Sequence, residues 1–235
     1  VCYDLAAFAM RGLAVNLMGR RLIGAMLIAI VVVGCAQENQ FEGKRVVPVF
    51  AEPRHRVVHQ DGDLYLMDIQ IQAGDTTLPH THDSAIIYTF IHDEDGPAFG
   101  RTGSETDYAE KAFTHEVANG GPGLLHIIAL LNYGPGRSSD DRPASVFGEP
   151  QLENPWFRSF RVELAPGEET AVTGEANTSV VVQVSDGTAR VTRHDGLVEE
   201  LYRMGSWVWR EADSSFSIRN VGTQPIALVV NQARL

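Results

Sequence analysis

From residue 46 onward, short apolar runs alternate with turn residues at a spacing that suits β-strands rather than helices. Met67, Ile69 and Ile71 alternate with Asp68, Gln70 and Gln72, the period of two expected of a strand with one buried face. Further strands are expected at Val46 to Phe50, Ile86 to Ile91, Phe113 to Val117 and Leu124 to Leu131. Residues 97 to 112 show no clear alternation and read as loop with one short strand. Residues 133 to 154, rich in Gly, Pro, Ser and Asp, predict a linker. The strand pattern then restarts at Phe157 to Leu164. Ser179 to Val184 and Ala189 to Arg193 are expected to pair as a hairpin across Ser185-Asp186-Gly187, and Tyr202 to Trp209, Phe216 to Arg219 and Pro225 to Asn231 complete the series.

The second half repeats the first. Gly74 is preceded by Ile69-x-Ile71 as Gly167 is by Val162-x-Leu164, and Asn119-Gly120-Gly121 is matched by Asn220-Val221-Gly222. An apolar strand follows each Asn. One order of strands and turns occurring twice implies two copies of one β unit, and many short strands per unit point to a small barrel or double-sheet jelly roll.

The N-terminal pattern is different. Met18-Gly19-Arg20-Arg21 is basic, and Leu22 to Gly34 is almost wholly apolar, too short for a membrane span but suited to a secretory signal. It ends Val32-Val33-Gly34-Cys35, which resembles the lipobox of bacterial lipoproteins. That resemblance implies cleavage before Cys35 and lipidation of Cys35, a membrane partner reached through a lipid anchor. Ala36 stands where an Asp would mark inner-membrane retention, so the resemblance points to the periplasmic face of the outer membrane. Residues 1–34 are thus read as upstream segment and signal peptide, with initiation at Met10 or Met18, and 35–45 as lipidated Cys and polar tether. Cys2 would leave with the signal, so the domain is expected to be held by packing without a disulfide.

A formal net charge of −11 argues against nucleic acid as a partner, because phosphate binding needs clustered Lys and Arg. The excess acidity otherwise speaks only for solubility.

Candidate chemistry sits after the turn at Gly74. On an extended strand His80 and His82 point to one face, and two neighbouring neutral imidazoles suit a divalent transition metal. Gly74, five residues, His80-x-His82, and then His115, three residues and Asn119 together resemble the two motifs of the cupins, and the chain as a whole resembles a bicupin over 46–132 and 155–235. The resemblance implies two tandem jelly-roll barrels, with Fe, Zn, Ni, Cu or Mn held in the first by His80, His82 and His115. It is similar in this to cysteine dioxygenase and the diketone-cleaving dioxygenase, which use three histidines and iron.

The chain departs from the family pattern in two places. Ala85, Ile86 or Ile87 occupies the position of the motif glutamate, and Glu110 and Ala112 replace the Pro and Gly before the second-motif histidine. Without a carboxylate ligand the metal would keep more positive charge and favour an anionic or chelating small molecule. In the second copy Thr173, Glu175 and Phe216 take the ligand positions, so that unit is expected to lend structure, a homodimer surface or part of the first unit's rim. Both a dioxygenase-like enzyme and a non-catalytic binding lipoprotein are compatible with this reading.

The remaining residues receive plainer readings. Asn119 is expected to satisfy local backbone groups. Tyr88 reads as an amphipathic strand aromatic that could instead face the cavity as an acid or hydrogen-bond donor. Asp83 should point away from His82. His126 reads as a satisfied core or rim residue and His92 as part of a polar turn, while His55, His59 and His194 have no motif context. Trp156, Trp207 and Trp209 are assigned to core packing or a contact between the barrels.

Overall fold

The alternating stretch at Met67 to Ile71 lies in a strand whose two faces both find partners, and the architecture follows from that. The computed structural model describes residues 40–93, 95–137, 145–174 and 177–234. Cys35, the expected signal peptide and Glu175 lie outside the described residues, as does the middle of the expected linker. The first half runs β1 (Val47–Pro48), a 3-10 turn (Val49–Ala51), β2 (His55–Asp61), β3 (Leu64–Ile71), β4 (His80–His82), β5 (Ala85–Asp93), β6 (Gly96–Glu105), a 3-10 turn (Asp107–Ala109), β7 (Phe113–His115) and β8 (Leu125–Asn132). The second runs β9 (Leu152–Glu153), β10 (Phe157–Leu164), β11 (Thr173–Gly174), β12 (Thr178–Gln183), β13 (Ala189–Arg193), β14 (Val198–Leu201), β15 (Trp207–Arg210), β16 (Ser215–Asn220) and β17 (Ile226–Ala233).

Each half builds a five-stranded sheet, β2-β3-β8-β5-β6 and β9-β10-β17-β12-β15, and backs it with a smaller one, β1-β4-β7 and β11-β16-β13-β14. The result is all-β, two tandem cupin-type jelly rolls. Period-two alternation divides the large sheets into two apolar faces. Met67, Ile69, Ile71, Ile86, Ala129 and Leu131 fill the interior of the first barrel. Phe160, Val162, Val181, Ile218 and Val230 fill the second. The opposite faces, with Leu64, Leu66, Ile87 and Leu130 from one half and Phe157, Val180, Val182 and Val229 from the other, pack on each other as a third core. Burying a side chain of this size contributes about 1.5–3 kcal/mol, so this shared layer carries a large part of the stability. Trp209 lies in it and Trp156 and Trp207 pack against it, which meets the expectation of a contact between the barrels.

The repeat seen in the sequence is kept to the level of hydrogen bonds. His80 pairs with His115 across β4 and β7, and Thr173 pairs with Phe216 across β11 and β16. Asn119 donates from Nδ2 to the carbonyls of Ile71 and Gly123, while its Oδ1 accepts from Gly121 N–H. Asn220 makes the same three bonds with Leu164, Gln224 and Gly222. Gly74 and Gly167, at φ 78° and 80°, adopt a left-handed turn conformation that glycine takes without a Cβ penalty.

Three local expectations are corrected. Residues 55–61 form a strand that the pattern did not announce, because β2 is an edge strand with Val57 and Val58 exposed and a register shift between Val57 and His59. The one short strand expected within residues 97–112 is a ten-residue strand over 96–105, its alternation hidden by three glycines and by its place at a sheet edge. Ala189 to Arg193 does not pair with Ser179 to Val184. It crosses to the other sheet and pairs with β14 and β16. The corner is made by Gln183, whose amide donates to the carbonyls of Ser185 and Gly187 and turns the chain away.

Candidate metal centre

His80 and His82 stand on β4 with the inward-facing alternation expected, at 0% and 5% exposure. His115 comes from β7, directly opposite His80. The ring centroids of His80 and His115 are 4.6 Å apart, those of His82 and His115 5.0 Å, and those of His80 and His82 5.0 Å. The structure therefore gathers all three sequence-predicted residues in one place.

It also adds a fourth. His55, at the first position of β2, is buried with its ring 4.3 Å from that of His80 and 6.3 Å from that of His82. Among the described residues, His55, His80 and His82 offer nitrogen atoms within 4.8 Å of one another, close enough to hold one ion. His55 is oriented by Glu52, whose carboxylate is buried and lies 2.8 Å from its Nδ1. Glu52 also accepts from the backbone N–H groups of Arg54 and Leu78 and from the Arg54 guanidinium. The 3-10 turn Val49–Ala51 presents this carboxylate just before β2 begins. The sequence signal was a Glu-x-x-His pair at the start of an edge strand, too short a pattern to stand out.

The hydrogen bonds settle which nitrogens face inward. The Leu78 carbonyl, 2.9 Å from His80 Nδ1, can only accept, so Nδ1 carries the proton and Nε2 is bare. Glu52 imposes the same tautomer on His55. His80 Nε2 and His82 Nδ1 are buried with no hydrogen-bond partner, and the bare Nε2 of His80 is a lone pair that a metal ion would satisfy. His82 Nε2 and His115 Nε2 lie 3.1 Å apart, a hydrogen bond in which one imidazole donates and the other accepts. With metal–nitrogen bonds of roughly 2.0–2.1 Å, two imidazole ligands on one ion stand about 2.9–3.4 Å apart, so this pair fits a shared metal.

Electrostatics favour the neutral, ligating form. Burial, reinforced by the neighbouring His80, pushes His55 down to about 4. Burial and the adjacent imidazoles push His115 down to about 4 and His82 to about 2, and burial lowers His80 as well. Burial alone would raise Glu52, but hydrogen bonds from His55 and the backbone outweigh it and hold the carboxylate ionised.

The other candidates fall outside the cluster. Ile86, in the region of the motif glutamate, packs in the apolar interior of the first barrel. Asp83 faces away and accepts from the Tyr133 hydroxyl at 2.7 Å. His126 bonds Asp68 at 3.0 Å, as a satisfied rim residue should. His92 stacks on His126 from within β5 rather than from a turn. His59 packs on Trp209. Tyr88 packs against the first-barrel core beside Phe90. The tyrosine next to the cluster is Tyr108, 5.5 Å from His82 and stacked on Phe113, a neighbour that sequence reasoning did not single out.

No family model matches this sequence, and neither does any curated protein. Solved structures do match. AerE from Microcystis aeruginosa is similar over 75% of this chain and 90% of its own, at 11% identity and a TM-score of 0.56. A salicylate 1,2-dioxygenase variant from Pseudoaminobacter salicylatoxidans, in complex with gentisate, is similar over 76% of this chain and 74% of its own, at 12% identity and a TM-score of 0.51. A cupin 2 conserved barrel domain protein from Leptotrichia buccalis covers 76% of this chain and 87% of its own, at 11% identity and a TM-score of 0.47. At such identities the likeness establishes the fold, and the chemistry rests on the residues themselves.

Proposed function

We propose that this protein is a metal-dependent bicupin whose first barrel acts on a small chelating molecule in the manner of a dioxygenase, and that it works from a lipid anchor at Cys35 in the cell envelope. The observation that carries the reading is the cluster of buried His55, His80 and His82 with half-buried His115, the bare Nε2 of His80 inside it and the Nε2 atoms of His82 and His115 3.1 Å apart. A metal bound there would supply Lewis-acid chemistry and, if it is iron, redox chemistry.

The chain's own residues define the rest. Glu52 and the Leu78 carbonyl fix the imidazole tautomers, and burial keeps the rings unprotonated. Ile86, Ile69 and Leu131 keep water from the barrel interior. Among the described residues no carboxylate stands with the imidazoles as a ligand, so an anionic, chelating substrate is favoured. The gentisate complex of the dioxygenase of similar fold supports a small-molecule substrate. The anchor reading rests on the Gly34-Cys35 lipobox, and Ala36 supports placement at the periplasmic face of the outer membrane.

The test is elemental analysis of the untagged full chain after anaerobic reconstitution with iron, zinc, nickel, copper or manganese, followed by oxygen uptake with chelating substrates. About one equivalent of metal and substrate-dependent oxygen consumption are expected. Less than about one-tenth of an equivalent with every metal would overturn the metal site. Metal retention without oxygen uptake would replace the enzyme by the non-catalytic binding lipoprotein. Cys35→Ser should abolish incorporation of labelled fatty acid, and continued labelling would remove the anchor.

A further inference from the structure

The second barrel has lost the metal-ligand positions, yet its interior is not uniformly apolar. Arg158 lies opposite Gln232, Gln232 opposite Ser179, and Ser179 opposite Arg210, one continuous row across β10, β17, β12 and β15. All four are buried, at 5%, 0%, 0% and 2% exposure. By the two-residue period they share a face with Phe160, Val230, Val181 and Val208, which fill the barrel. Two guanidinium groups thus sit at one end of an otherwise hydrophobic interior.

Buried charge is costly unless it is paired and its hydrogen-bonding groups are satisfied. Arg210 uses Nη1 for both Glu199 and the Trp209 carbonyl. Its Nε and Nη2 have no partner, and neither does the amide nitrogen or oxygen of Gln232. A guanidinium that only braced the barrel would spread its bonds over all its nitrogens. Arg210 instead leaves its buried Nε–Nη2 edge unpaired, the fork that matches the two oxygens of a carboxylate. Gln232 stands two strands away, about 10 Å at the backbone and on the same face of the sheet.

The surroundings fit such a ligand. The Arg210 guanidinium lies 5.8 Å from the Phe216 ring and that of Arg158 lies 5.1 Å from the Phe160 ring. Phe147 touches both rings, at 5.8 Å from Phe160 and 6.1 Å from Phe216. The two cations therefore flank one aromatic floor. We infer that the second barrel binds a small carboxylate that carries a neighbouring hydroxyl, with Arg210 gripping the carboxylate through Nε and Nη2 and Gln232 bonding the hydroxyl. The site is separate from the histidine cluster and does not depend on a metal there.

The test is calorimetric titration of the full chain with lactate and, separately, with inorganic phosphate. Saturable binding of lactate is expected, with phosphate weaker. Arg210→Lys keeps the charge but removes the fork and should weaken lactate about tenfold or more. Gln232→Leu should also weaken it, and the titrations are made on chelator-treated protein so that the first barrel holds no metal for lactate to chelate. Circular dichroism of each variant checks that it is folded. No saturable lactate binding by the unaltered chain up to about 10 mM, the weak end of measurable affinity, would overturn the inference without touching the metal reading. So would wild-type lactate affinity in folded Arg210→Lys, or phosphate binding more tightly than lactate.

Discussion

Glu52 and His55 form a buried pair, Oε2 to Nδ1 at 2.8 Å, beside a cluster whose metal-holding group among the described residues is made of histidines. The usual motif carboxylate is replaced by apolar residues on β5, and an acidic group returns from the 3-10 turn before β2. It acts behind an imidazole rather than in the cluster. This relationship makes His55 a ligand candidate of equal standing with the motif histidines.

Metal affinity should report it. Glu52→Gln keeps shape but weakens acceptance from His55 Nδ1–H, and loss of such an outer hydrogen bond typically costs 10–100-fold in affinity. His55→Ala and His115→Ala should each cost more. Competition against a chelator of known affinity measures all three, and unchanged retention in Glu52→Gln would show that His55 does not ligate.

The metal-free protein should lose stability as pH falls. His55 and His115 are held to about 4 in the fold against 6.5 when exposed, so the unfolded chain binds more protons between these values. Their contribution is fully present above pH 6.5 and is lost as pH drops through that window toward 4. Urea unfolding after chelator treatment, at steps between pH 7 and about 4, should show a falling midpoint. Added metal should oppose the fall, because protons and metal compete for the same nitrogens.

Asn119 and Asn220 offer a matched pair. Each clips three backbone groups at the same place in its barrel, and Asn119 also lies four residues beyond His115. Asn→Ala at either position should cost about 2–3 kcal/mol by leaving buried carbonyls unpaired. Only Asn119→Ala should also weaken metal binding. Equal metal affinity in both variants would mean that the clip does not position His115.

The layer between the large sheets should make residues 44–235 unfold as a unit, because Trp209 and Ile87 belong to one core drawn from both halves. Trp209→Ala is expected to cost about 3–5 kcal/mol while preserving a single transition. Two separate transitions, followed by fluorescence and circular dichroism together, would show that each barrel stands alone.

Much of this molecule was legible in the chain. Alternation at Met67 to Ile71 and the doubled Gly and Asn signals specify strand type and duplication, because a period of two and a left-handed turn are local properties of the backbone. His80, His82 and His115 were legible because two of them sit two residues apart and the third lies a fixed distance from Asn119. Three things were decided only by tertiary structure. β2 and β6 are edge strands, exposed or half-buried at most positions, so few of their side chains need to be apolar. His55 reaches the cluster because the β2–β3 hairpin sets its first residue beside β4, and its contacts with His80 and His82 leave no trace in spacing. The row from Arg158 to Arg210 exists only because four strands, ordered β10-β17-β12-β15, align in register. Local periodicity determines the elements, and sheet register determines which side chains meet.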